Sequence, residues 1–149
     1  MPPNETFDFY YLGQSSYARI VAQAQAGFPY EICGFLGGTA LGYGQLIRPA
    51  TNIATQPQVA YNIAPEETLA ALLEWERSGY KITGVYHSHP NYPAVPSTTD
   101  LKLADLAGVC YLIISVREKA AQIPLEFELR AYRIVAKKAY EVPLKITGD

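Results

Sequence analysis

At 149 residues, 49% of them hydrophobic, the chain is long enough for one globular domain with a buried core. Twelve basic residues against 14 acidic ones give a formal net charge of −2, so there is no basic surplus to hold a nucleic acid by counterion release. No apolar stretch reaches the ~18 residues needed to cross a bilayer, and the opening MPPNETFDFYY lacks the basic-then-apolar layout of a signal peptide, so a cytoplasmic protein without membrane partners is expected.

The first helix is predicted over about 15–26. Tyr17, Ile20, Val21 and Ala24 recur at helical spacing, Ser15 or Ser16 supplies the cap, and Gly27 the stop. A short apolar strand follows over 31–36. Gly37, Gly38, Gly42 and Gly44 then mark a tight connection to a second strand ending near Arg48 and Pro49. A further strand is predicted over 59–63. Pro65 opens the second helix, with Glu66 and Glu67 suited to the positive end of its dipole, Leu69, Leu72 and Leu73 as the buried stripe, and Gly79 as the end.

Residues 80–89 read as a strand, with Pro90 holding His89 extended. The Pro-rich stretch 91–96 is irregular, and a third helix is predicted over 98–107, broken by Gly108. Residues 109–116 form a buried strand. The alternating stretches 125–131 and 140–146 read as half-exposed strands, with Pro143 marking an edge. Cys33 and Cys110 are too few and too far apart for a disulfide framework or a CxxC metal knuckle. Buried thiols are expected, with a single disulfide as the alternative.

His87-Ser88-His89 uses both histidines in the chain. Alternate side chains of a strand share a face, so the two imidazoles stand roughly 7 Å apart at Cα and can converge on one ion. The Pro-rich loop returns the chain to Ser97 and Asp100, where a carboxylate supplies a third ligand. Two histidines and an aspartate leave one tetrahedral position open, the pattern of a catalytic rather than a structural zinc. A metal-dependent hydrolase is therefore expected. The run Ser97-Thr98-Thr99-Asp100 also has the spacing of a capping box, and a capping Ser and a ligating Asp are compatible roles for one segment.

Written as H-S-H-x(7)-S-x(2)-D, residues 87–100 resemble the JAMM motif of the JAB1/MPN+ metalloproteases at each defining position. Glu31, in Y-E-I-C-G-F-L-G-G, resembles the family's catalytic glutamate at the start of an early strand. The order of elements over about 10–135 and the lead-in Gly84-Val85-Tyr86 resemble the compact prokaryotic branch. The resemblance implies one α/β domain over 1–149, MPN-like (cytidine-deaminase-like), with a mixed sheet flanked by about three helices. It implies one zinc per chain on His87, His89 and Asp100, with water as fourth ligand. It further implies Glu31 as general base and then acid, and Ser97 as a donor to the tetrahedral oxyanion.

Members of the family hydrolyse amide or isopeptide bonds after the C-terminal Gly-Gly of ubiquitin-like proteins. The segment after Asp100 is short, without the long insertions by which eukaryotic relatives grip ubiquitin, so the resemblance to the prokaryotic branch implies small partners, ubiquitin-fold or sulfur-carrier proteins with Gly-Gly ends. Two other readings stand beside this one. Non-catalytic MPN scaffolds generally lack an intact ligand set. RadC-like, DNA-repair-associated members read HNHPSG where this chain has His87-Ser88-His89-Pro90-Asn91-Tyr92. With 12 tyrosines present, Tyr86, Tyr92 and Trp75 are assigned to packing, and Asn52 and Asn62 to ordinary turn and strand-edge uses.

Overall fold

The strand that carries both histidines lies near the middle of a six-stranded sheet in the computed structural model, which describes residues 6–119 and 125–149. The first five residues of the opening read against a signal peptide lie outside that range. In chain order the elements are β1 (Tyr10–Gly13), α1 (Gln14–Gly27), β2 (Cys33–Gly38), β3 (Tyr43–Gly44), β4 (Leu46–Ala50) and α2 (Pro65–Glu76). They continue with β5 (Lys81–Pro90), α3 (Thr98–Leu103), β6 (Cys110–Arg117), β7 (Glu126–Val135), β8 (Lys138–Val142) and β9 (Leu144–Thr147). The large sheet runs β4-β2-β5-β6-β7-β8, with β5 and β6 parallel and every other pair antiparallel. This is the mixed sheet with three helices expected from the sequence.

Every residue of β5 after Lys81 is buried, because both faces of the sheet are covered. On one face Ile20 and Ala24 of α1 pack with Tyr10, Leu36, Tyr86, Leu112 and Ile114. On the other, Ala71 and Trp75 of α2 pack with Phe35, Val85 and Tyr111. Among the described residues no helix is long and apolar enough to cross a membrane.

Several boundaries differ from expectation for identifiable reasons. The cap of α1 is Gly13, not Ser15 or Ser16, because β1 runs straight into the helix. The Ser15 N–H instead donates to the Asp149 carboxylate, an anion at the positive helix end. Residues 59–63 form no strand; side-chain amide bonds from Asn52 take the place of a ladder there. The stripe of Leu69, Leu72 and Leu73 is 55%, 41% and 49% exposed, and Ala71 and Trp75 are buried instead. Gly37 explains the rotation of α2: a Cβ there would meet the Trp75 ring at 2.8 Å, so only glycine admits the indole onto the sheet.

Helix α3 stops at Leu103 rather than near 107, since the Leu106 N–H turns out to the Tyr111 hydroxyl. The run 140–146 is two strands, not one. Pro143 parts β8, at the edge of the large sheet, from β9, which joins β1 and β3 in a small parallel sheet that sequence periodicity did not reveal. Cys33 and Cys110 are buried free thiols, and burial raises both, Cys33 to about 12.

Candidate metal centre

Alternation along β5 puts His87 and His89 on the face shared with Val85, and turns Ser88 toward the neighbouring strand. Ser88 there closes a two-way link with Ile32: the Ile32 N–H donates to Ser88 Oγ (2.8 Å) and the Ser88 N–H to the Ile32 carbonyl (3.0 Å). That link carries the β2–β5 pairing one residue beyond Cys33, up to Glu31. After Pro90 the chain turns at Asn91 (φ 63°) and is fastened twice: Ser115 donates to the Tyr92 carbonyl (2.7 Å) and Tyr132 to the Ala94 carbonyl (2.5 Å). The irregular loop is thus held from both sides, and it delivers Ser97 and Asp100 to the imidazoles.

Helix α3 begins with the expected capping box. The Asp100 N–H donates to Ser97 Oγ (3.0 Å), and Asp100 Oδ2 accepts from the Ser97 N–H (2.9 Å). The same Oδ2 lies 3.0 Å from His87 Nε2 and 3.0 Å from His89 Nε2, and the two nitrogens are 3.0 Å apart. All three side chains are buried.

His89 Nδ1 sits 2.8 Å from the Pro93 carbonyl, which only accepts; Nδ1 therefore carries a proton, and Nε2 faces the site. Burial lowers the pKa of His87 despite the nearby Asp100, which favours its neutral ring. No partner fixes the tautomer of His87, whose Nδ1 is buried without a hydrogen bond. Burial pushes the Asp100 carboxyl up, but the two imidazoles and the Ser97 N–H outweigh it and hold Asp100 well below its ordinary value. A tetrahedral zinc with bonds of about 2.0–2.1 Å sets its ligand atoms roughly 3.3 Å apart, close to the observed triangle. The donor set therefore fits a divalent metal.

Glu31 stands just before β2, and its carboxylate lies with the two histidines: ligand atoms of Glu31, His87 and His89 fall within 4.8 Å of one another. Burial raises its pKa to about 7, against smaller lowering contributions from Tyr92 and His89. Tyr92 donates to Oε2, whereas Oε1 is buried with no partner. The Tyr92 ring stacks on His89 (centroids 4.2 Å, 22°), and Tyr61 stacks on His87 (4.2 Å, 24°).

The structure brings together all five residues singled out in the sequence: Glu31, His87, His89, Ser97 and Asp100. It also adds residues that sequence reasoning missed. Tyr92 had been assigned to packing and Tyr61 had carried no signal. Asn52, assigned to ordinary turn chemistry, holds the carbonyl of Glu31. Nothing in composition or spacing separates these from the other tyrosines and asparagines. Tyr86 and Trp75 are core residues, as expected. A cavity of about 330 Å³ adjoins the centre through Tyr61, with Phe35 and Val85 on its floor and Leu69, Leu72 and Leu103 on its walls. Leu69 and Leu72, two of the three leucines that failed to join the core, line this opening.

Residues 13–134 match the family described as prokaryotic homologs of the JAB domain. The chain is 34% identical over 129 residues to the CysO-cysteine peptidase of Mycobacterium tuberculosis, covering 85% of this chain and 84% of that protein. It is 42% identical over 88 residues to a desampylase of Haloferax volcanii, which is 58% of this chain and 63%, under two thirds, of that relative. Among solved structures, a protein from Desulfitobacterium hafniense superposes with a TM-score of 0.80 at 27% identity, over 95% of this chain and 94% of the other. A JAB1/MPN domain protein from Archaeoglobus fulgidus shares the fold with a TM-score of 0.60 at 18% identity, over 95% and 100%.

Proposed function

The chain belongs to the family of prokaryotic homologs of the JAB domain, and from that premise we propose that it is a zinc-dependent peptidase. Its substrate is the amide or isopeptide bond after the C-terminal Gly-Gly of a ubiquitin-fold or sulfur-carrier protein. One observation carries the metal: His87 Nε2, His89 Nε2 and Asp100 Oδ2 form a buried triangle with every pair 3.0 Å apart. The relatives' names, desampylase and CysO-cysteine peptidase, support the substrate class. The ligands are His87, His89 and Asp100, one ion per chain, with water completing the set.

A zinc ion held there supplies Lewis acidity, lowering the pKa of a bound water from 15.7 toward about 7. Glu31 takes the water's proton on its unpartnered Oε1 and passes it to the leaving amine nitrogen. Ser97 accepts a backbone hydrogen bond through Oγ, which leaves its own proton for the developing oxyanion. The tyrosine rings beside the histidines crowd the approach, which suits a Gly-Gly backbone without side chains. The neighbouring apolar cavity suits the extended tail that precedes it. The protein works in the cytoplasm.

The test is cleavage of ubiquitin-fold carriers extended beyond Gly-Gly, by the zinc-loaded protein and by Glu31→Ala. Cleavage after Gly-Gly that disappears in the variant is the expected result. If the protein binds no metal, the hydrolase reading fails and a non-catalytic scaffold takes its place.

A further inference from the structure

The side chain of Asn52 makes every hydrogen bond an amide can make. Nδ2 donates to the carbonyls of Glu31 (2.9 Å) and Ala60 (3.0 Å), and Oδ1 accepts from the N–H groups of Ala54 (3.0 Å) and Asn62 (3.0 Å). One side chain therefore ties three separate pieces of backbone, at 31, 52–54 and 60–62. Regular sheet is absent at this level. The β2–β4 ladder begins only at Cys33 and Ala50, so without the amide the Glu31 carbonyl has no ladder partner from β4.

The rest of the loop closes on the same point. The Glu31 N–H donates to the Pro57 carbonyl (2.7 Å), and the Ile53 N–H to the Asn62 carbonyl (2.9 Å). The Thr51 N–H donates to Glu67 at the start of α2 (2.8 Å), anchoring the loop to a helix. Both backbone groups of Glu31 are thus held by the 52–62 loop. Tyr61, flanked by two of the residues that Asn52 grips, is the ring stacked on His87. A carboxylate that must move a proton to two different atoms needs a fixed backbone, and a displacement of about 1 Å can cost on the order of 10² in rate.

We propose that Asn52 is a positioning residue for the reaction: its amide clamps the backbone of Glu31 and, with it, the segment that lays Tyr61 over His87. Its hydrogen bonds reach none of the three proposed ligands, His87, His89 and Asp100. This inference rests on the reading of Glu31 as the proton carrier.

The test is steady-state cleavage by the metal-loaded Asn52→Ala protein, with metal affinity measured in parallel by competition with a chromophoric chelator. The expected result is a fall in kcat of roughly 10- to 100-fold, with KM within about threefold of wild type. Metal affinity stays within about threefold, since the three ligating side chains sit on β5 and α3. Amide exchange at Glu31 and Asn62, followed in the metal-free protein, accelerates. A kcat within about threefold of wild type overturns the proposal. So does a KM that rises as far as kcat/KM falls, or a metal affinity that falls as far as kcat.

If Asn52→Ala does not fold, Glu67→Ala loosens the same loop through Thr51 alone. It lowers kcat several-fold at unchanged KM if the clamp matters, and leaves kcat unchanged if it does not. A wild type that binds metal yet cleaves no Gly-Gly-extended carrier sinks the peptidase reading and the clamp together. A wild type that cleaves, with Asn52→Ala its equal, removes only the clamp.

Discussion

Replacing Glu31 by Gln stabilises the metal-free protein above neutral pH while abolishing cleavage. Burial shifts this carboxyl from an ordinary 4.5 to about 7, so the folded chain binds its proton more tightly than the unfolded chain does. Stability therefore falls as pH rises from about 4.5 to about 7 and stays reduced above that window. At about 1.36 kcal/mol per unit the ceiling is roughly 3 kcal/mol, and water reaching the carboxylate brings the working figure to about 1–2 kcal/mol. A Gln side chain carries no charge and keeps the acceptor for the Tyr92 hydroxyl. At roughly 2–4 °C per kcal/mol for a domain of this size, Tm should rise by about 2–8 °C at pH 8 and not at pH 4.5. Calorimetry of both proteins in chelator, at the two pH values, makes the comparison. A Gln variant less stable at pH 8, or equally shifted at both, would refute the burial argument.

Three further predictions follow from the same geometry. Ser97→Ala removes a cap worth about 1 kcal/mol and the hydroxyl proposed to meet the oxyanion, so Tm drops modestly while kcat falls about 10²- to 10³-fold; a kcat loss of only a few-fold would leave Ser97 with capping alone. Asp100→Ala breaks the capping box and the donor triangle together. It should therefore bind no zinc in a chelator competition and also lose about 1 kcal/mol of stability; retention of a full equivalent of metal would disprove the ligand set. Tyr92→Phe deletes the hydrogen bond that holds the pKa of Glu31 down. The acid limb of kcat against pH should move to higher pH while metal content stays the same, and an unmoved limb would show that the hydroxyl does not act on Glu31.

The metal centre was legible in the sequence because its ligands are close in the chain and obey local rules. His87 and His89 are two apart on a strand, Ser97 and Asp100 are three apart at a helix start, and a proline-rich loop of fixed length joins the pairs. Local periodicity gave the helices and most strands for the same reason. It failed where distant contacts decide orientation. The leucines of α2 face outward because Trp75 found the gap above Gly37, far back along the chain in a different element. Residues 59–63 carry an apolar, strand-like pattern but are held by one asparagine side chain rather than a ladder.

What the sequence placed by itself was the proposed ligand set, the chemistry such a set suits and the mixed α/β class, all carried by residue type at short spacing. Only the tertiary structure decided which aromatic rings flank the histidines, which oxygen of Glu31 is left unpartnered, and that Asn52 holds the backbone of Glu31. Apart from the Tyr92 ring on nearby His89, those depend on contacts between segments 21 to 61 residues apart, where spacing along the chain places no constraint and only the packed fold brings the groups together.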